Sequence, residues 1–332
     1  MSSKRREELT LQQYVDGIRT NNRAILARAI TLVESNAKRH FSLAQDVLTS
    51  IMPYTGKSMR IGITGVPGAG KSTFIEALGM MLAEKGHRVA VLAIDPSSTL
   101  SQGSILGDKT RMEQLSRHVN AFVRPSPAGG TLGGVARKTR ETLLLCEAAG
   151  YDIIIVETVG VGQSEITVRS MVDCFLLLML TGAGDELQGM KKGIMELVDI
   201  MFINKADGEN LVAAEKAKIE FQRILHMLPG TTEGWITEVR TVSALTGNGI
   251  EECWESLIKF QEHMKATNQF EERRKQQAAN WFHSLLEEQI LKDFYNHTLI
   301  LKDLQSVKQK VISGETSATK AALSLLEKFR DS

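Results

Sequence analysis

The sequence is poor in cysteine, in surplus charge of either sign and in long apolar runs. Forty basic residues face 39 acidic ones, for a formal charge of +1. So even a balance gives no electrostatic hold on nucleic acid or on an anionic membrane, and neither is expected as a partner. The three cysteines, Cys146, Cys174 and Cys253, are odd in number, far apart and form no C-x-x-C pair. That argues against a disulfide framework or a cysteine metal site and leaves reduced, partly buried thiols. The most apolar run, Cys174 to Leu180, is far below the roughly 18 residues that suggest a membrane span. It reads as a buried strand. Met1–Glu8 is polar with no apolar stretch behind it, unlike a secretory signal. Internal repeats and low-complexity segments are absent as well, so the expectation is a soluble, cytoplasmic protein.

Apolar residues make up 42% of the 332, enough for a sizeable core. Three zones follow one another. Residues 1–57 have helical periodicity, with Leu11, Tyr14, Val15 and Ile18 on one face and Ile25, Leu26, Ala29, Ile30 and Val33 on another. Asn21 and Asn22 are candidate caps between them, and Pro53 with Gly56 closes the zone. Residues 58–262 alternate short β-branched runs with helical stretches. The predicted strands are Arg60–Thr64, Arg88–Ile94, Ala121–Arg124, Ile153–Glu157, Phe175–Leu180, Ile200–Ile203 and Val239–Val242. Between them, Ser72–Lys85, Leu132–Ala149 and Asn210–Leu228 read as helices. Uncharged strands alternating with helices predict an α/β fold, a mostly parallel sheet flanked by helices. Residues 263–332 are helical and charged, with apolar stripes at Trp281, Phe282, Leu285, Leu286 and Ile290, at Leu304, Val307 and Val311, and at Leu323, Leu326 and Phe329. Such helices need the main domain, the N-terminal helices or a second copy of the chain to cover them.

Gly65-Val66-Pro67-Gly68-Ala69-Gly70-Lys71-Ser72 fits G-x-x-x-x-G-K-[ST], with Thr73 next. It follows an apolar strand and opens a helix, the context in which backbone N–H groups cradle phosphates. Lys71 is placed to reach the terminal phosphates, and the Ser72 hydroxyl to ligate Mg²⁺. Two strand-end carboxylates, Asp95 and Glu157, are candidates to hold that ion. Gly160 can approach a γ-phosphate through its N–H. No glutamine follows Gly160 directly and Gln163 comes three residues later, so slow intrinsic hydrolysis is expected.

Asn204-Lys205-Ala206-Asp207 follows a predicted strand. The Asp207 carboxylate can accept from guanine N1–H and the exocyclic amine, which adenine does not offer. Lys205 can lie along the base and Asn204 can tie this loop to the phosphate loop. Ser243-Ala244-Leu245 can offer an N–H to guanine O6. These features select GTP over ATP. Arg124–Gly134 and Thr181–Lys192, both glycine-rich, are candidate switches or ordinary loops. Arg111, Arg137 and Lys138 read as solvated surface, with phosphate or cross-interface contact as the alternative.

Five strings then carry a resemblance: GVPGAGKST at 65–73, IDPSS at 94–98, SPAGGTLGG at 126–134, VETVGVGQSE at 156–165 and NKAD at 204–207. Together they resemble the MeaB/ArgK/MMAA GTPases of the SIMIBI class over nearly the whole chain. The resemblance implies a P-loop GTPase that chaperones adenosylcobalamin-dependent methylmalonyl-CoA mutase, gating cofactor loading and protecting the mutase. It implies GTP and GDP as ligands at Gly65–Thr73, Asn204, Lys205, Asp207 and Ser243–Leu245, with Mg²⁺ at Ser72, Asp95 and Glu157. It also implies a homodimer through the C-terminal arm and a third switch at Gly182–Lys192. No D-x-H-x-x-G string is present to hold cobalamin. Other classes weighed are a protein kinase linked to amino-acid transport, a nickel metallochaperone GTPase and a targeting GTPase. Against these stand the guanine-reading Asp207, the scattered seven histidines and the short, charge-balanced C-terminal helices.

Overall fold

The computed structural model describes residues 8–94, 112–125, 132–158, 164–182, 192–228 and 230–331. Its strands are β1 (Met59–Gly65), β2 (Val89–Ile94), β3 (Ala121–Arg124), β4 (Ile153–Thr158), β5 (Cys174–Met179), β6 (Ile200–Ile203) and β7 (Glu238–Thr241). They form one seven-stranded sheet in the order β3-β2-β4-β1-β5-β6-β7, with every neighbouring pair parallel. Each of β2, β4, β5 and β6 is buried along its whole length, as expected of parallel strands covered on both faces. All seven strands match the sequence reading to within a residue at each end.

The helices among the described residues, in chain order, are α1 (Leu11–Arg19), α2 (Arg23–Glu34), α3 (Lys38–Ile51), α4 (Lys71–Glu84), α5 (Glu113–Arg117), α6 (Leu132–Ala148), α7 (Ser164–Arg169), α8 (Lys192–Met195), α9 (Leu211–His226), α10 (Ile250–Ala266), α11 (Gln269–Asn296), α12 (Thr298–Ile312) and α13 (Ala318–Arg330). Thr10 and Gln13 form a capping box on α1. Asn22 caps α2 by accepting from the N–H groups of Ala24 and Ile25, a contact of about 1 kcal/mol. Asn21 beside it turns the chain with φ of 54°. Helices α1–α3 bury their apolar faces on one another and on α6. That packing corrects the surface reading of Lys138, which is only 5% exposed.

The chain divides into two compact units, residues 1–274 and 275–332, and the division falls inside α11. In the first unit, the root of α11 is held by charge at the amino ends of the strands. Arg274 donates to both Asp173 carboxylate oxygens at 2.7 and 2.6 Å and to the Gly56 and Ser58 carbonyls at 2.6 Å. Arg273 donates to the Asp173 carbonyl and to Thr232. The Asp199 carboxylate, fully buried, accepts from Phe175 N–H and Thr232 and pairs with Arg169 at 3.0 Å. In the second unit, Phe329 packs edge-on against Phe294 and His297. Helix α13 buries Ala321 and Leu325 and leaves Leu323 55% exposed, unlike the predicted stripe. Two residues along a helix turn a side chain by about 200°, so Leu323 and Leu325 cannot share a face.

Candidate functional site

The phosphate loop joins the end of β1 to the start of α4. Gly68 and Gly70 have φ of 77° and 81°, values at which a side chain is strained. At Gly70 a Cβ would also stand 2.7 Å from Asn204 Nδ2. No side chain caps α4, so its first-turn N–H groups point into the loop as an anion site. Lys71 lies folded over the loop, its Nζ donating to the Gly65 carbonyl at 2.9 Å. Burial pulls the Lys71 pKa below 10.5, opposed by the Glu157 and Glu165 carboxylates.

One residue further, Ser72 Oγ stands 3.3 Å from Glu157 Oε1. Glu157 is 6% exposed near the end of β4, in register with Ile63 of β1 and Ala93 of β2. A hydroxyl and a carboxylate side by side are hard oxygen donors of the kind Mg²⁺ takes, so the residues fit the ion. Asp95 and Gly160 lie outside the described residues, as do Arg111, Gln163 and most of both glycine-rich segments.

The candidate base-reading residues converge from two further strand ends. Asn204, 2% exposed, donates from Nδ2 to the Ala69 carbonyl at 2.7 Å and accepts at Oδ1 from Ala244 N–H at 3.1 Å. One side chain thereby joins the phosphate loop to the loop after β7. The Ser243 hydroxyl donates to Asp207 and accepts from Thr246 N–H at 3.2 Å, which orients the carboxylate. Lys205 is exposed with φ of 60°. Asn210 steadies that conformation by donating to the Lys205 carbonyl at 2.6 Å while accepting from Thr181 at 2.7 Å. Leu245 is 82% exposed. The structure thus brings Gly65–Thr73, Glu157, Asn204–Asp207 and Ser243–Leu245 to the carboxyl ends of the strands, where open parallel sheets bind ligands. Sequence reasoning missed the roles of Asn210 and Glu165, and it gave Thr181 only as the first residue of a candidate switch. The fully buried Glu165 carboxylate had a signal in the VETVGVGQSE string, where it is the last residue.

Comparison with known proteins agrees with this geometry. Residues 26–298 match the family described as "Methylmalonyl Co-A mutase-associated GTPase MeaB". A putative GTPase of Caulobacter vibrioides is 51% identical over 93% of this chain and 94% of its own. GTPase ArgK of Escherichia coli is 47% identical over 93% of this chain and 95% of its own. A solved structure titled "LAO/AO transport system kinase" superposes with a TM-score of 0.79 at 39% identity, covering 98% of this chain and 99% of that one. A nucleotide site at the strand ends, on a chain this similar to named GTPases, has one reading: the protein belongs to the MeaB family of P-loop GTPases and is a GTP hydrolase that binds guanine nucleotide.

Proposed function

We propose that this GTPase is a chaperone of adenosylcobalamin-dependent methylmalonyl-CoA mutase, gating cofactor loading and protecting the mutase, with hydrolysis as its timer. The observation that carries the reading is the family match across 26–298, whose description names association with that mutase. In this reading Lys71 and the α4 N–H groups bind and orient the phosphates, and Asp207, held by Ser243, selects guanine. Ser72 and Glu157, with Asp95, are the residues to hold Mg²⁺. Bound there, the ion would neutralise charge on the β- and γ-phosphates. Intrinsic turnover is slow and rises on contact with the mutase, and the protein works in the cytoplasm. The C-terminal unit serves as the homodimer contact. Supporting that role, Phe282, Leu286 and Ile290 are exposed, and a cavity of about 470 Å³ opens between Phe294, Leu304, Val311, Leu325 and Phe329.

The test is hydrolysis of GTP and ATP by the purified protein, with and without the mutase. GTP-only turnover that rises with the mutase supports the reading. Turnover indifferent to the mutase refutes the partner and keeps the GTPase. Phosphate delivered to a protein hydroxyl instead of water would favour the kinase that the solved relative's title names.

A further inference from the structure

Two hydroxyls meet inside the sheet, among side chains that are mostly hydrocarbon. Thr64 and Thr158 have no exposed surface, and their Oγ1 atoms lie 2.8 Å apart. Around them Ile61, Ile63 and Ile153–Val156 are buried and apolar. Valine would fill the same volume without a polar atom to satisfy, so the pair needs a reason other than packing.

Position supplies one. Thr64 is the residue before Gly65, where β1 becomes the phosphate loop, and Thr158 is the residue after Glu157. Since Ile63 and Glu157 are in register, the two threonines stand side by side at the strand ends. Side chains alternate along a strand, so Glu157 projects to the α4 face, toward Ser72, and Thr158 to the opposite face. That opposite face is closed by α7. A Cβ on Gly62 would be 2.7 Å from Val168 Cγ1, so the bare glycine lets α7 lie directly on β1, two residues from Thr64 and on the same side. Glu165 precedes Val168 by three residues, on the same helical face, and is fully buried as well. Water has no access to replace the bond if it breaks.

We propose that Thr64 and Thr158 are positioning residues: their mutual hydrogen bond locks the end of β4 to the end of β1 and so holds Glu157 at Ser72. The two hydroxyls bond to each other on the face away from Ser72. The pair acts through Glu157, and the proposal rests on the reading of Ser72 and Glu157 as the magnesium site.

The experiment measures release of a fluorescent GDP analogue across a Mg²⁺ titration, alongside GTP turnover. Thr158→Val and Thr64→Val should each raise the Mg²⁺ midpoint about tenfold and lower kcat by about as much, with KM for GTP little changed. Thr158→Ser should restore both. The double valine variant should be no worse than either single one, since both remove the same bond. If a single variant fails to fold, the double variant, which leaves no orphaned hydroxyl, carries the measurement. An unmoved Mg²⁺ midpoint, or additive effects in the double variant, overturns the proposal. Glu157→Gln separates the two levels. If it shifts the midpoint and the threonine variants do not, only the positioning role fails. If it shifts nothing, the magnesium reading fails and takes the pair's role with it.

Discussion

At the amino ends of β1, β5 and β6, charged side chains are matched to one another. Arg274 and Arg60 N–H meet Asp173, Arg169 meets Asp199, and the Arg60 guanidinium meets Glu147 with both partners largely buried. At the carboxyl ends of β1, β4 and β6, charged side chains also meet neutral groups, as Asp207 meets the Ser243 hydroxyl. Lys71 folds onto its own loop's carbonyls and Glu157 is 3.3 Å from a serine hydroxyl. One end of the sheet carries charge pairs that tie strand to strand, and the other carries the residues of the candidate nucleotide site. A buried charge is tolerable only if compensated, so the matched end fixes the strands that present the open end.

Four measurements can break or sharpen that contrast. The largest effect is expected at the matched end. Arg274→Ala leaves Asp173 buried without its bidentate partner and should cost about 3–5 kcal/mol in urea unfolding; a loss under 1 kcal/mol would mean the network is dispensable. Lys71→Ala should lower GTP turnover about a hundred- to a thousandfold while the melting temperature stays level or rises, because a partly buried ammonium is removed. Were stability to collapse instead, the two ends would not differ in kind. Asp207→Asn should shift preference from GTP to xanthosine triphosphate by about 1–3 kcal/mol, read by competition binding. Untouched GTP affinity would disprove base reading by Asp207.

The smallest effect is acid sensitivity at the matched end. Burial raises the Glu147 pKa, but the Arg60 guanidinium, the Ser58 hydroxyl and Gly56 N–H outweigh it and hold the group below 4.5. A carboxyl depressed on folding stabilises the fold above its unfolded value, and that stability is lost as pH falls through the folded value. Urea midpoints should therefore drop below pH 4.5, and Glu147→Gln should flatten that drop. An identical acid profile in the variant would place the sensitivity elsewhere.

The open end was largely legible in the sequence and the matched end was not. A phosphate loop and NKAD are contiguous strings whose chemistry depends on local backbone, and uncharged β-branched runs mark buried strands. Helix α3 was not separated from its neighbours. It has no side-chain cap at its N-terminus, and caps are the local signal for a helix start. The Asp173–Arg274 contact joins residues 101 apart in sequence, and charge type alone makes both look like solvated positions. Lys138 was misread for the same reason. Thr64 and Thr158 sit 94 residues apart, and nothing in either strand says that its hydroxyl has a mate.

The three cysteines are all fully buried, and burial pushes each thiol well above its ordinary range. Thiolate is the species that alkylates and oxidises, so the folded protein should ignore maleimides and mild oxidants. It is therefore a ready-made blank for site-specific labelling. A single cysteine placed at an exposed position such as Val119 or Met227 would take a dye or spin label alone, with no native thiol to delete first.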